Sequence, residues 1–148
     1  MSAVRHEQIR VTTEQGDIMI LTLKKGGIVV RQGDTKDRNL YIIHKGAFTV
    51  QRVSGDTVIN CGTLHEGDIF GEMSMILGLS RSSTIMATTD EAEVESLSKQ
   101  AFLDLIQKQP EIAWKVLTNL ALKTQRLDEV QSQLNDPESL KMILAAKK

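Results

Sequence analysis

The feature that most constrains this chain is a change of period at Ser98. From about Ile18 to Leu97 the sequence is a series of short β-like runs punctuated by glycine turns. The candidate strands are Ile18 to Leu21, Ile28 to Val30, Leu40 to Ile43, Phe48 to Val50, Val58-Ile59, Ile85 to Ala87 and Val94 to Leu97. Their β-branched and aromatic residues suit a pleated, half-buried surface. Lys25-Gly26-Gly27, Gly33-Asp34, Lys45-Gly46, Ser54-Gly55-Asp56 and Glu66-Gly67-Asp68 separate them, and all are good turn formers. Short strands at this spacing predict an antiparallel jelly-roll barrel rather than a parallel sheet.

After Ser98 the pattern is helical. Ser98 is an N-cap for a helix over Lys99 to Lys108, with Phe102, Leu105 and Ile106 on one face. Pro110 opens a longer helix reaching about Leu134, with no glycine or further proline inside it. Along it Ala113, Leu120, Leu127 and Leu134 fall seven apart, and Val116 and Val130 follow members of that series by three. This is an a/d seam interrupted at Lys123. Such a seam packs either on its own barrel or against the same helix of a second copy. The homodimer is favoured, because the helix outlasts any small barrel. Asp136-Pro137-Glu138 caps a last short helix bearing Leu140, Ile143 and Leu144.

The organisation is therefore mainly β with C-terminal helices (α+β): a lead-in over 1–17, a barrel over 18–97, helices over 98–135 and a terminal helix over 136–148. At 148 residues the chain is one domain of ordinary size. A net charge of −1, from 18 basic and 19 acidic residues, leaves no basic face for nucleic acid. Aromatic residues at 3% do not supply a stacking platform, so Trp114 is read as a packing residue. No apolar run approaches the ~18 residues that cross a bilayer, and Met1 to Arg10 holds no signal-peptide core. With the single Cys61, these features lead to the expectation of a cytoplasmic protein that engages neither membrane nor nucleic acid. His6, His44 and His65 lack the spacing of a metal cage, and Cys61 has no evident base. No catalytic residue, metal or cofactor is expected.

The chemistry concentrates between Phe70 and Thr84. Gly71 permits a tight turn and a close approach of ligand to main chain. Glu72 to Ile76 can form one helical turn whose free N–H groups favour an anion. Arg81 opens a strand-like run, and its planar fork of donors suits a phosphate, with Ser82 adding a hydroxyl. Glu72 would repel a phosphate but would accept hydrogen bonds from a sugar hydroxyl on the same ligand. Phosphate and ribose in one pocket make a nucleotide site. The bland alternative is a surface ion pair between Glu72 and Arg81, worth ~0–1 kcal/mol.

The ordered set Phe70-Gly71-Glu72, Ser74 and Arg81-Ser82-Ser83-Thr84 resembles the phosphate-binding cassette of the cyclic nucleotide-binding domain family. That family includes the catabolite activator protein, regulatory subunits of cAMP-dependent kinase and cyclic nucleotide-gated channels. Gln32-Gly33-Asp34, then Leu40 to Ile43 and Gly46, resembles the family's turn and strand signature, and Gly67-Asp68 also fits. The likeness runs from about Ile18 to Leu134. It implies that Gly71 and the N–H groups from Glu72 through Met73 to Ser74 hold a cyclic phosphate. Glu72 would take the ribose 2′-hydroxyl and Arg81 an exocyclic oxygen. Ser82 would bond the phosphate and could also reach the base, and Ser83 would offer its N–H. The base would lie over Leu64 and meet the long helix near Thr124, Leu127 and Asp128. The chain departs from the family at three places: Ile9 to Thr13 looks extended where a helical lead-in is usual, Ser83 replaces alanine, and Met73 and Met75 replace leucines as core filler.

The resemblance implies a cAMP sensor, with cGMP the alternative ligand, that shifts its C-terminal helix to regulate a partner or linked effector. Two rivals are a barrel serving only as a dimerisation scaffold and a small phosphodiesterase. The intact Gly71, Glu72 and Arg81 speak against the first, and the lack of a two-metal ligand set against the second.

Overall fold

The structure is a computed structural model and describes residues 7–13 and 16–135. Among these residues it holds the strands β1 (Glu7–Thr13), β2 (Gly16–Leu23), β3 (Ile28–Val30), β4 (Leu40–Lys45), β5 (Phe48–Ser54), β6 (Thr57–Leu64), β7 (Ile69–Phe70), β8 (Thr84–Ala87) and β9 (Ala92–Leu97). The helices are α1 (Glu72–Leu77), α2 (Lys99–Lys108) and α3 (Pro110–Asn135). All pairings are antiparallel, in one sheet ordered β1-β2-β9-β4-β7 and another ordered β3-β8-β5-β6. The mainly-β barrel with C-terminal helices is thus the observed architecture.

The core lies between the two sheets. Leu21, Leu23, Tyr41, Ile43, Phe70, Ala92 and Val94 come from the first sheet and meet Val30, Phe48, Ile85 and Ala87 from the second. Tyr41 stacks on Phe70 at 5.1 Å between centroids, and Phe48 tilts against Phe70 at 6.5 Å. This packing fixes the strand that precedes the cassette to the strand that carries its support. Along β5, Phe48 and Val50 face the core, so Arg52 continues the same side of the strand.

The β5–β6 hairpin turns through Gly55-Asp56, with Ser54 opposite Thr57. The left-handed φ of 61° at Gly55 is the conformation a two-residue turn needs. One irregularity interrupts the pairing. Val50 opposes Gly62 while Gln51 opposes Asn60, which leaves Cys61 as the extra residue of a bulge.

Two strands fall outside the candidate list. β7 pairs two residues with β4, Tyr41 with Phe70 and Ile42 with Ile69, and is too brief to show alternation. β1 pairs along its length with β2, so the extended stretch read at Ile9 to Thr13 joins the sheet and the sheet starts before residue 18. Ser98 caps α2 as expected, its Oγ accepting the Ala101 N–H at 3.2 Å.

The chain divides into two units, Met1–Lys108 and Gln109–Lys148, and α2 packs on β2 and β9 within the first. α3, in the second unit, begins at Pro110 and runs for 26 residues. Val116 is buried, and Ala113 and Leu120 are half-buried. Leu127 is exposed, and the side chains of Val130 and Leu134 and the expected helix over 136–148 lie outside the described residues. Trp114 is 73% exposed, which corrects its reading as a packing residue. Its spacing placed it beside the stripe of Ala113, Val116 and Leu120 rather than on it. Among the described residues, no helix is long and apolar enough to cross a membrane.

Candidate functional site

The short β7 delivers the chain to Gly71, where the backbone turns with φ 91° and ψ 5°. A Cβ at this position would lie 2.7 Å from Arg81 Nη1 and 2.8 Å from the Asn39 carbonyl oxygen. Both the left-handed conformation and the space therefore require glycine. α1 follows at once and stops at Gly78, whose N–H returns to the Ser74 carbonyl at 2.9 Å. No side chain caps the start of α1, and the N–H groups of Met73 and Ser74 meet no protein acceptor among the described residues. They remain as donors, as first-turn N–H groups do.

Glu72 and Ser74 lie on the buried side of α1 at 3% exposure each. Met73 is 43% exposed, with Ile76 and Leu77 also outward. Met73 is therefore not a core filler: the helix turns its Glu72–Ser74 side inward, and Met73 follows the outer one.

Arg81 is the centre of the cluster and is only 3% exposed. Its main chain is clamped to the β3–β4 loop, N–H to the Asp34 carbonyl at 2.9 Å and carbonyl to the Gly33 N–H at 2.8 Å. Nη1 donates to the Gly71 carbonyl at 3.2 Å, and Nη2 donates to the Asn39 carbonyl at 2.7 Å. Nη2 also lies 3.1 Å from Asp37 Oδ2 in an ion pair, and the guanidinium stands 5.7 Å from the centre of the Tyr41 ring. Nε is buried and has no acceptor among the described residues. A buried donor left without a partner costs about 1–3 kcal/mol, so the fork is set up to receive one more oxygen.

Behind the arginine a second layer holds Asp37. Its Oδ1 accepts the Asn39 N–H at 3.0 Å and its Oδ2 the Tyr41 hydroxyl at 2.7 Å. Asn39 Nδ2 in turn donates to Ser96 Oγ at 3.0 Å. Burial pushes the Tyr41 phenol well above its ordinary range, and the hydrogen bond to Asp37 adds to this. Tyr41 therefore stays a neutral donor, while Asp37 lies within ion-pair distance of the arginine. Sequence reasoning missed Asp37, Asn39 and Tyr41 as parts of the site. Tyr41 fell within the strand signature, whereas Asp37 and Asn39 lie between its two parts and carried no signal of their own.

Ser82 is exposed and Ser83 half-buried, with their hydroxyls 3.5 Å apart. Leu64 ends β6 opposite Phe48 and packs against the core. The structure thus brings Gly71 and Arg81 into direct contact, with Glu72, Met73 and Ser74 following the one and Ser82 and Ser83 the other. Thr124, Leu127 and Asp128 stand exposed on α3, in the second unit. The Thr124 hydroxyl is engaged with the Leu120 carbonyl at 3.0 Å.

Comparison with known proteins places this geometry in context. A family model described as the cyclic nucleotide-binding domain matches residues 20–109. A cGMP-dependent protein kinase of Eimeria tenella is 30% identical over 91 residues, covering 62% of this chain and 9% of the kinase. Human Rap guanine nucleotide exchange factor 3 is 29% identical over 131 residues, covering 87% of this chain and 13% of that protein. The chain thus spans only a small part of these relatives. Among solved structures, the catabolite activator protein of Thermus thermophilus superposes with a TM-score of 0.70 at 26% identity, over 79% of this chain and 55% of that one.

The packing around Gly71 yields a direct prediction. Gly71→Ala must adopt a left-handed backbone and displace the Arg81 guanidinium, at a cost of about 1–3 kcal/mol in urea unfolding. Wild-type stability would contradict the close approach.

Proposed function

The chain belongs to the cyclic nucleotide-binding domain family, and on that premise we propose that it is a cyclic nucleotide sensor that grips its ligand by the ring-closed phosphate. The observation that carries the proposal is Arg81, buried and ion-paired yet with Nε lacking an acceptor among the described residues. An exocyclic phosphate oxygen supplies that acceptor with charge, and charge-assisted bonds of this kind are the strong ones. The open N–H groups of Met73 and Ser74 add donors from the other side of Gly71. The buried Glu72, next in sequence, suits the ribose hydroxyl. The ligand is cAMP, with cGMP as the alternative, since the Ser82 hydroxyl can donate to either.

The role is binding and regulation rather than catalysis. Occupancy of the cassette biases the C-terminal helix between two states, by no more than the ligand's differential affinity for them, commonly ~1–3 kcal/mol. The effector is a linked domain or a partner, and the compartment is the cytoplasm. The readings of the base site on Leu64 and on Thr124, Leu127 and Asp128 belong to this proposal.

A homodimer through α3 is part of the same reading, and the exposed face of that helix supports it. Trp114, Leu117, Thr118, Ala121, Leu122 and Gln125 form one helical side around a groove of about 310 Å³. Trp114 and Leu117 are 73% and 58% exposed there, which is costly for a helix that meets only water. The contact proposed is this face, since it is more exposed than the expected seam, where Val116 is buried and Ala113 and Leu120 are half-buried.

Two measurements test these statements. In calorimetry, Arg81→Ala is expected to weaken cAMP and cGMP binding by about 2–5 kcal/mol, because truncation strands a buried phosphate charge. Unchanged affinity would defeat the assignment. In sedimentation, the wild-type protein is expected to be dimeric and Leu117→Glu monomeric. A monomeric wild type, or a dimer indifferent to the substitution, would remove α3 as the contact.

A further inference from the structure

The arm of the cassette between Arg81 and β8 is fastened unevenly. Arg81 is clamped by Gly33 and Asp34, and Thr84 is paired with Gln51 across β8 and β5. Ser82 and Ser83 lie between these anchors, and no main-chain hydrogen bond reaches either of them among the described residues. What holds them is a side chain from the neighbouring strand. Arg52 Nε donates to the Ser82 carbonyl at 3.2 Å.

Arg52 stands one residue beyond the last β5–β8 pair, Gln51 with Thr84, so its side chain extends the ladder past the point where backbone pairing ends. The strand beneath it is fixed as well. The Gln32 amide takes both polar groups of Val53, Nε2 donating to the carbonyl at 3.0 Å and Oε1 accepting the N–H at 2.7 Å. The Gln32 N–H itself donates to Thr84 Oγ1 at 3.0 Å. Arg52 thus reaches across from a braced position.

We propose that Arg52 is a positioning residue for the nucleotide cradle, orienting the Ser82–Ser83 peptide by holding its carbonyl. In a trans peptide the C=O of Ser82 and the N–H of Ser83 point in opposite directions. Tying the oxygen to β5 therefore aims the Ser83 N–H away from β5, and it restrains the two hydroxyls that follow the arm. This inference rests on the proposed role of Ser82 and Ser83 at the phosphate. It gives the β5–β6 hairpin a mechanical link to the ligand site that no residue of the cassette motif encodes.

Arg52→Met tests it, because methionine keeps an apolar stem and removes the donor. Relaxation of the Ser83 amide nitrogen in the ligand-free protein is expected to show an order parameter falling from about 0.85 to below about 0.6. Affinity for cAMP and cGMP is expected to fall about tenfold, and equally at 0.05 M and 0.5 M salt, since a hydrogen-bonded tether is not screened as a distant charge is. Unchanged order at Ser83 overturns the proposal, and so does an affinity loss that vanishes at high salt. Should the wild-type protein bind neither nucleotide, the sensor reading fails, and the Ser83 order parameter alone decides the role of Arg52.

Discussion

One buried guanidinium joins three stretches of this chain that are far apart in sequence. Arg81 donates to carbonyls at Gly71 and Asn39 and pairs with Asp37, and its own main chain is bonded to Gly33 and Asp34. A charge at 3% exposure is tolerable only with such company, since desolvation would otherwise dominate. The described residues supply a counter-ion and two carbonyls, yet leave Nε without an acceptor among them. The group is therefore held in place but not saturated. A purely structural ion pair would have its donors satisfied, and it is the donor left over that the proposed phosphate contact uses.

The barrel serves this arrangement. β4 and β7 pair over only two positions, but these set Tyr41 against Phe70 and so align the support of Asp37 with the entry to Gly71. The Tyr41 hydroxyl braces the carboxylate from within the core, where burial keeps the phenol neutral. Core packing and the support of the arginine's counter-ion meet in one residue. The second sheet contributes through β5 and β8, which hold the far end of the cassette at Thr84.

Much of this was legible from local pattern. Period-two runs with glycine turns gave the antiparallel barrel, Ser98 and Pro110 marked two helix starts, and the Phe70-Gly71-Glu72 and Arg81 to Thr84 order marked the cradle. The illegible parts are non-local. Asp37, Asn39 and Arg52 act across 30 to 44 positions of sequence, and nothing in their neighbours signals the partner they reach. Met73 and Trp114 mislead for another reason. Apolar residues are not confined to interiors, so an apolar letter at helical spacing does not say which side is covered. At Thr124 the hydroxyl donates to the carbonyl one turn back, a local bond that the residue pattern does not announce.

The central claim is that the unfilled donor of Arg81 belongs to a phosphate oxygen. The side-chain Nε–H resonance of Arg81, followed by nitrogen-edited NMR as cAMP or cGMP is added, tests it most directly. The account predicts a large downfield shift of that proton and a through-bond coupling to the nucleotide's phosphorus. A saturating nucleotide that leaves the resonance where it stands would contradict it.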